Sequence, residues 1–552
     1  MMNKHTNEIE TIIGDNVIMN VISAEMEQIP LIHFVNEDYL KLLNSTEADW
    51  FRVLHNFDWQ EYRSYGAMYY DALYEFNIRE SPKRQDRNER FEDVENKEEA
   101  IKRLLFSRST MMEKKSKQRE GSIIYQGKEI EMKPPKVSPD SISPGVVPVR
   151  MGGKKPKCFF ALFKSFLGAS LMGFPAEPES VYLLLTSNPS FARVCGFVPK
   201  NKRDEYCYLY VPSLRKLEQF DQVMRESDLW SKIKLAEVAH NLESGIIKIE
   251  KELVGDTTHY HAYSSFETVK YKDANGKKQR KSQSRLTKKC NCKDKENCTH
   301  EWELSDDGAG TIVKSKTKMY WGHKASVVGF PRQGIPLDAA AVSDASTFDG
   351  ETFYPHVEKV LRELPEIRTH IDTVIYDSAC DDKDLKKKFD DKLGLKLKAS
   401  LNPRRSKEVT ENLPRGIKKI TPYGNVICIG GHEMDYKGMR YENEKFIYQA
   451  PTDEESGIVV CLSCPYREQC CCNALNGRII NISFDLLPHI NTEDPPMAKR
   501  FKAIMSRRPS VERMIKRLKC DLGDSRLTKR SNESFQAYLD KTMIAFHLLL
   551  RG

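Results

Sequence analysis

The sequence has no long apolar run. Its most apolar stretch, Phe159 to Phe174, carries Lys164 and falls short of the roughly 20 apolar residues that span a bilayer. It therefore reads as a buried helix. The opening residues, MMNKHTNEIETIIGD, lack the apolar stretch of a secretory signal. A strong excess of one charge is missing too. The 87 Lys and Arg stand against 79 Asp and Glu, a net +8, so bulk charge argues only weakly for a polyanionic partner. Local clusters of basic residues must carry that argument. Without an export signal, the 14 cysteines are expected as reduced thiols or metal ligands rather than disulfides, and the expected location is cytoplasmic.

What is present is a long, polar, globular composition: 552 residues, 39% hydrophobic and 30% charged, enough for several domains. Residues 1–95 mix short apolar segments with aromatics and carry no legible role. Residues 96–155 are charged and punctuated by Pro134, Pro135, Pro139, Pro144 and Pro148, the composition of a linker. Residues 156–245 show helical apolar spacing, and a small helical unit of this kind is expected to bind DNA or to serve in packing. From 246 the pattern alternates between strands and helices, predicting an α/β domain over 246–419 and 496–552 with a mixed sheet flanked by helices. Residues 420–495, rich in Gly, Cys and short strand-like runs, read as a β-rich insertion ahead of two closing helices near 509–520 and 532–550.

Two acids sit where strands end: Asp256 in ELVGDTTHY and Asp377 in TVIYDSACDD. A carboxylate held at a sheet rim suits a hard cation that keeps other positions for water and phosphate, and two such ions can drive an in-line displacement at phosphorus. A third acid, Glu512, lies in RRPSVERMIKRLK. There Val511, Met514, Ile515 and Leu518 form an apolar stripe, while Arg508, Glu512 and Lys519 are expected on the other side, cations beside a carboxylate. Singly, each acid reads more readily as a turn, cap or salt-bridge residue. Together they form a pattern.

That pattern resembles the DDE transposases of bacterial insertion sequences, in particular the group marked by a Tyr-x2-Arg-x3-Glu-x6-Lys signature. Arg508, Glu512 and Lys519 match its spacing, and Met505 stands where the tyrosine would be. GDTTHY and VIYDSACDD resemble the two aspartate strands, and YWGHKASVVG with GIPLDAAAVSDAS resembles the strand pair between them. The resemblance, over about 156–552, implies an RNase H-like catalytic domain and Mg²⁺ (or Mn²⁺) held by Asp256, Asp377 and Glu512. It also implies phosphate positioned by Arg508 and Lys519, and a homodimer acting on double-stranded DNA ends in a bacterial nucleoid. An RNase H-like nuclease or resolvase, or a non-catalytic zinc-stapled DNA-binding protein, are the rival readings.

Between the first acid and the next strands, KYKDANGKKQRKSQSRLTKKCNCKDK packs basic residues including Lys277, Lys278, Arg280 and Lys281. It reads as a loop that grips phosphate backbone, or as a solvated one. His323 and Lys324 in WGHK are further candidates to approach DNA. Cys290, Cys292, Cys298 and His300, and separately Cys461, Cys464 and Cys470, have spacings suited to structural Zn²⁺. Buried free thiols are the plainer alternative for both.

Overall fold

The computed structural model describes residues 41–42, 44–45, 49–79, 122–125, 128–131, 158–197 and 211–551, apart from 273–275, 277, 289, 291, 293, 295, 316, 403–406 and 472–473. The chain divides into two compact units. One comprises 1–237, 521–524 and 540–552, and the other 238–520 and 525–539. Among the described residues no helix is long and apolar enough to cross a membrane.

The first unit is helical. Its helices are α1 (Asp49–Asn56), α2 (Arg63–Arg79), α3 (Phe159–Leu171), α4 (Pro178–Ser187), α5 (Pro189–Val194), α6 (Leu214–Glu226) and α7 (Leu229–Glu243), the last running into the second unit. The apolar run 159–171 becomes α3, buried on nearly all sides. Phe163 stacks on Trp230 of α7 at 5.6 Å, and Phe159 packs near Tyr69 of α2 at 5.6 Å. Residues 49–79, for which the sequence offered no role, therefore share this aromatic core. A short hairpin, β1 (Ser122–Tyr125) with β2 (Lys128–Glu131), lies within the proline-punctuated stretch.

The second unit is mixed α/β. Its main sheet runs β10 (Ile335–Ala341), β9 (Lys318–Phe330), β3 (Glu252–His261), β11 (Thr373–Tyr376), β12 (Lys396–Ala399), with β8 (Gly310–Ser315) pairing the start of β9. β10, β9 and β3 are antiparallel, whereas β3, β11 and β12 are parallel. Parallel neighbours need crossovers, and helices supply them. α8 (Asp349–Glu363) lies between β10 and β11 in the chain, and α9 (Lys383–Leu393) between β11 and β12. The latter starts on the Asp382 cap and stops at Gly394, whose left-handed φ of 65° ends the helix.

Residues 417–483 form small antiparallel sheets: β13 (Ile417–Ile420) with β14 (Val426–Cys428), and β15 (Asp435–Arg440), β16 (Lys445–Gln449), β17 (Ile479–Ser483). They enclose a core of their own around Ile420, Val426, Phe446, Tyr448 and Ile482, as expected of a β-rich insertion. α10 (Lys499–Met505), α11 (Ser510–Lys516) and α12 (Asn532–Leu549) follow. The helix expected to run to 520 leaves α geometry at Lys516, and residues 517–521 make a π-helical turn instead. A π turn rotates side chains beyond it off the preceding azimuth, so Lys519 is not simply two α turns beyond Glu512.

Candidate functional site

Side chains alternate between the two faces of a strand. On β3, Gly255 faces the Phe353 ring of α8 so closely that a Cβ there would lie 2.1 Å from it. Asp256 must therefore face the opposite way, toward the entrance of α11. Two arginines fix that entrance on β3: Arg507 pairs with Glu252, and Arg508 Nη2 lies 2.6 Å from Asp256 Oδ2. Arg508 also pairs with Glu512 in the first turn of α11. One guanidinium thus joins the first and third predicted acids.

Asp377 follows β11 directly. The parallel register pairs Ile375 with Val254, and carried two residues further it brings Asp377 level with Asp256. The Asp377 carboxylate accepts from the Ala379 amide at 2.8 Å, capping the short turn 378–380. A fourth carboxylate belongs here, one with no distinguishing mark in the sequence. Asp349, in the first turn of α8, raises the pKa of both Asp256 and Asp377. It pairs with Lys324 at 2.9 Å.

Burial dominates the electrostatics of these acids. It pushes Asp256, whose side chain is 15% exposed, up to about 6, with Asp377 and Asp349 adding to the shift; Arg508 and the Thr257 amide oppose it. Asp377 is likewise raised by burial, with Asp349 adding and the Ala379 amide and Arg508 opposing. Two half-buried carboxylates that resist ionisation gain from any cation placed among them. Glu512 differs. At 59% exposed it lies toward solvent, and the three acids do not converge as tightly as the cysteine group described below.

Other expected residues fare differently from one another. Lys519 Nζ donates to the carbonyl of His259 and sits 5.0 Å from the Tyr260 ring centre, braced against the Asp256 strand. His323 and Lys324, expected to approach DNA, turn inward. β9 is a central strand here, leaving His323 0% exposed and 2.9 Å from Asp306, and Lys324 8% exposed against Asp349 and the Thr347 carbonyl. Neither presents a free side chain at a surface. The basic segment, expected as a loop, folds as a hairpin of β4 (Phe266–Lys272) and β5 (Lys278–Ser284), which sets Lys270 opposite Arg280. Lys277 lies outside the described residues, while Lys278, Arg280 and Lys281 are exposed. Like charges directly opposite across a hairpin destabilise it, unless a polyanion neutralises them.

Beyond the hairpin, β6 (Leu286–Thr287) and β7 (Glu303–Leu304) pair at the base of a finger. At its tip the ligand atoms of Cys290, Cys292, Cys298 and His300 all lie within 4.8 Å of one another. Cys290 Sγ is 3.7 Å from Cys298 Sγ, and Cys292 Sγ is 3.6 Å from His300 Nδ1. A tetrahedral ion with Zn–S of about 2.3 Å and Zn–N of about 2.0 Å demands edges of about 3.8 and about 3.5 Å. The group can hold a metal ion such as zinc. Burial pushes the Cys298 thiol up, but hydrogen bonds from His300, Cys290 and Lys288 outweigh it and bring it down to about 6. That favours the thiolate a metal needs. Among the described residues no other set of three or more candidate ligands is this compact.

No family model matches the chain, and no curated protein does.

Proposed function

We propose that this chain is a DDE-type transposase that cuts the ends of a mobile DNA element and joins the freed 3′-OH to target DNA. The observation that carries this reading is the link from Asp256 through Arg508 to Glu512, beside an Asp377 that ends the neighbouring parallel strand. The sheet, with three antiparallel strands continued by two parallel ones, supports an RNase H-like catalytic domain. Of the signature residues, Arg508 and Lys519 contact the Asp256 strand directly and Glu512 joins it through Arg508, which supports the reading.

The donors here are all carboxylate oxygens, the set a hard divalent ion takes. Asp256, Asp377 and Glu512 would hold Mg²⁺ or Mn²⁺, which when bound supplies positive charge to the attacking and leaving oxygens of the phosphodiester. The chain's own residues do the rest. Arg508, paired with two of the acids, offers a planar fork that can trade a carboxylate for a phosphate oxygen. Lys519, tied to the His259 carbonyl, braces the helix that carries Glu512. The exposed cations Lys270, Lys278, Arg280 and Lys281 grip backbone without reading sequence.

The test is a joining assay with the full chain, Mg²⁺, a linear duplex carrying the DNA that flanks the gene, and a circular target. Joined products support the transposase. Cut but unjoined ends would replace it with a nuclease. Retained binding with no cutting in Mg²⁺ or Mn²⁺ would leave a non-catalytic DNA-binding protein.

A further inference from the structure

The insertion carries five described cysteines that no catalytic role uses, on three separate turns. Cys428 ends β14 and opens a tight turn: the Gly431 amide donates to its carbonyl at 2.9 Å, and its own amide donates to the His432 carbonyl at 3.0 Å. Cys461 and Cys464 flank a second turn, closed by the Cys464 amide on the Cys461 carbonyl at 3.4 Å. Cys470 and Cys471 end a short helix, where Arg478 donates to the Cys470 carbonyl. All five line one cavity, together with His432.

The first two turns meet at Gly430. A Cβ there would lie 3.0 Å from Cys464 Sγ and 3.6 Å from Cys428 Sγ, so both sulfurs crowd the same point. The third turn closes on the second, since Cys461 and Cys471 interact through their thiols. Every one of the five is half-buried and unbridged, and a χ1 change moves a sulfur by about 3 Å, enough to draw thiols lining one cavity into a shell.

We propose that Cys428, Cys461, Cys464 and one thiolate of the Cys470–Cys471 pair bind a zinc ion, a second metal site distinct from the Cys290 finger. Two observations favour zinc over a set of idle thiols. The first is the arrangement: thiols three positions apart, Cys461 and Cys464, are completed by one from the β14 turn and one from the next turn, the pattern of a four-thiolate structural site. The second is charge. Four thiolates around Zn²⁺ leave a net charge of −2, and two cations, Arg467 and Arg478, line the same cavity. The site would tie the 428–432 turn and the 461–471 segment to the β15–β16–β17 sheet. The segment between β16 and β17 spans 450–478, and its described residues form short helical turns and one isolated bridge, Thr452 to Val459, so a metal would supply ties that a larger core would otherwise give.

Metal analysis of the full chain purified without chelator tests this. Wild type should carry two zinc ions per chain, Cys298→Ser one, Cys428→Ser one, and the double variant none. Cys470→Ser/Cys471→Ser should match Cys428→Ser. A Cys428→Ser chain that keeps both ions overturns the proposal, as does iron in place of zinc. Alkylation of the wild type guards against misfolded variants. Cys428, Cys461 and Cys464 should resist labelling natively and label fully once a chelator is added. Rapid labelling before chelation, or resistance that only a reductant relieves, would each contradict a zinc site.

Discussion

Asp256 is the residue whose replacement separates stability from function most sharply. Raising its carboxyl from 3.8 to about 6 costs the folded, ionised form up to about 3 kcal/mol, at 1.36 kcal/mol per pH unit. The sign follows from the direction of the shift. Below about pH 3 the carboxyl is protonated both folded and unfolded and nothing is lost. The penalty grows as pH rises from about 4 to about 6 and is essentially complete by about 7. Asp256→Asn removes it, keeps an oxygen for the Thr257 amide, and loses the Arg508 pair, though Arg508 retains Glu512. In chelator at about pH 7.5 the variant should be more stable than wild type by about 1–3 kcal/mol, and the gap should close toward about pH 3. Mn²⁺ should reverse the order. A ligand at 100 times its Kd adds about 2.7 kcal/mol to the state that binds it, and only wild type keeps the full carboxylate set. Chemical denaturation at several pH values, with and without Mn²⁺, reads both effects. A wild type at least as stable as the variant in chelator at that pH, or equal gains from Mn²⁺ in both, would refute the reasoning.

Other perturbations follow from the same geometry. On the proposed reading, Glu512→Gln should abolish cleavage while leaving DNA binding largely intact, because its exposed carboxylate would hold metal and takes little part in packing; a gel-shift titration beside the cleavage assay checks it. Replacing Lys270, Lys278, Arg280 and Lys281 with Ala should weaken duplex binding and flatten its log–log salt slope by up to about 0.9 for each phosphate no longer neutralised, and an unchanged slope would remove the hairpin from the DNA. Asp349→Asn should shift the acidic limb of the pH–rate profile to lower pH, since Asp349 raises both Asp256 and Asp377; a limb that stays put would leave Asp349 as the ion-pair partner of Lys324 alone. Cys298→Ser should release zinc and make the 288–302 finger sensitive to protease while the β3–β9–β11 sheet stays resistant, as limited proteolysis with mass mapping would show.

Much of this arrangement is legible in the chain because the determinants are local. Val374, Ile375 and Tyr376 followed by acids give the buried strand and its carboxylate, and the Asp382 cap with Gly394 bounds the next helix. Cys290 to His300 spans so few residues that spacing alone suggests the cluster. Other features depend on partners remote in sequence. Cys428 precedes Cys461 by 33 residues (461 − 428), and only the folding of the insertion brings them to one cavity. Asp349 looks like any first-turn acid until α8 is set against β3. His323 and Lys324, adjacent on β9, face opposite sides of the sheet, and a central strand of a sheet covered on both faces leaves neither side open. The hairpin did have a signal, Asn275-Gly276 between alternating residues, obscured by the density of charge around it. The π turn at 517–521 has no recognised mark in the sequence.

The central claim is that Asp256, Asp377 and Glu512 act as one metal-dependent phosphoryl-transfer site. Its most direct test compares wild type with Asp377→Asn on a plasmid carrying the DNA that flanks the gene, in Mg²⁺, in Mn²⁺ and in chelator. The account predicts cutting at the element ends by wild type in either metal, none in chelator, and none by the variant, with both proteins binding the ends alike. Cutting by Asp377→Asn at the wild-type rate, or cutting that survives the chelator, would contradict it.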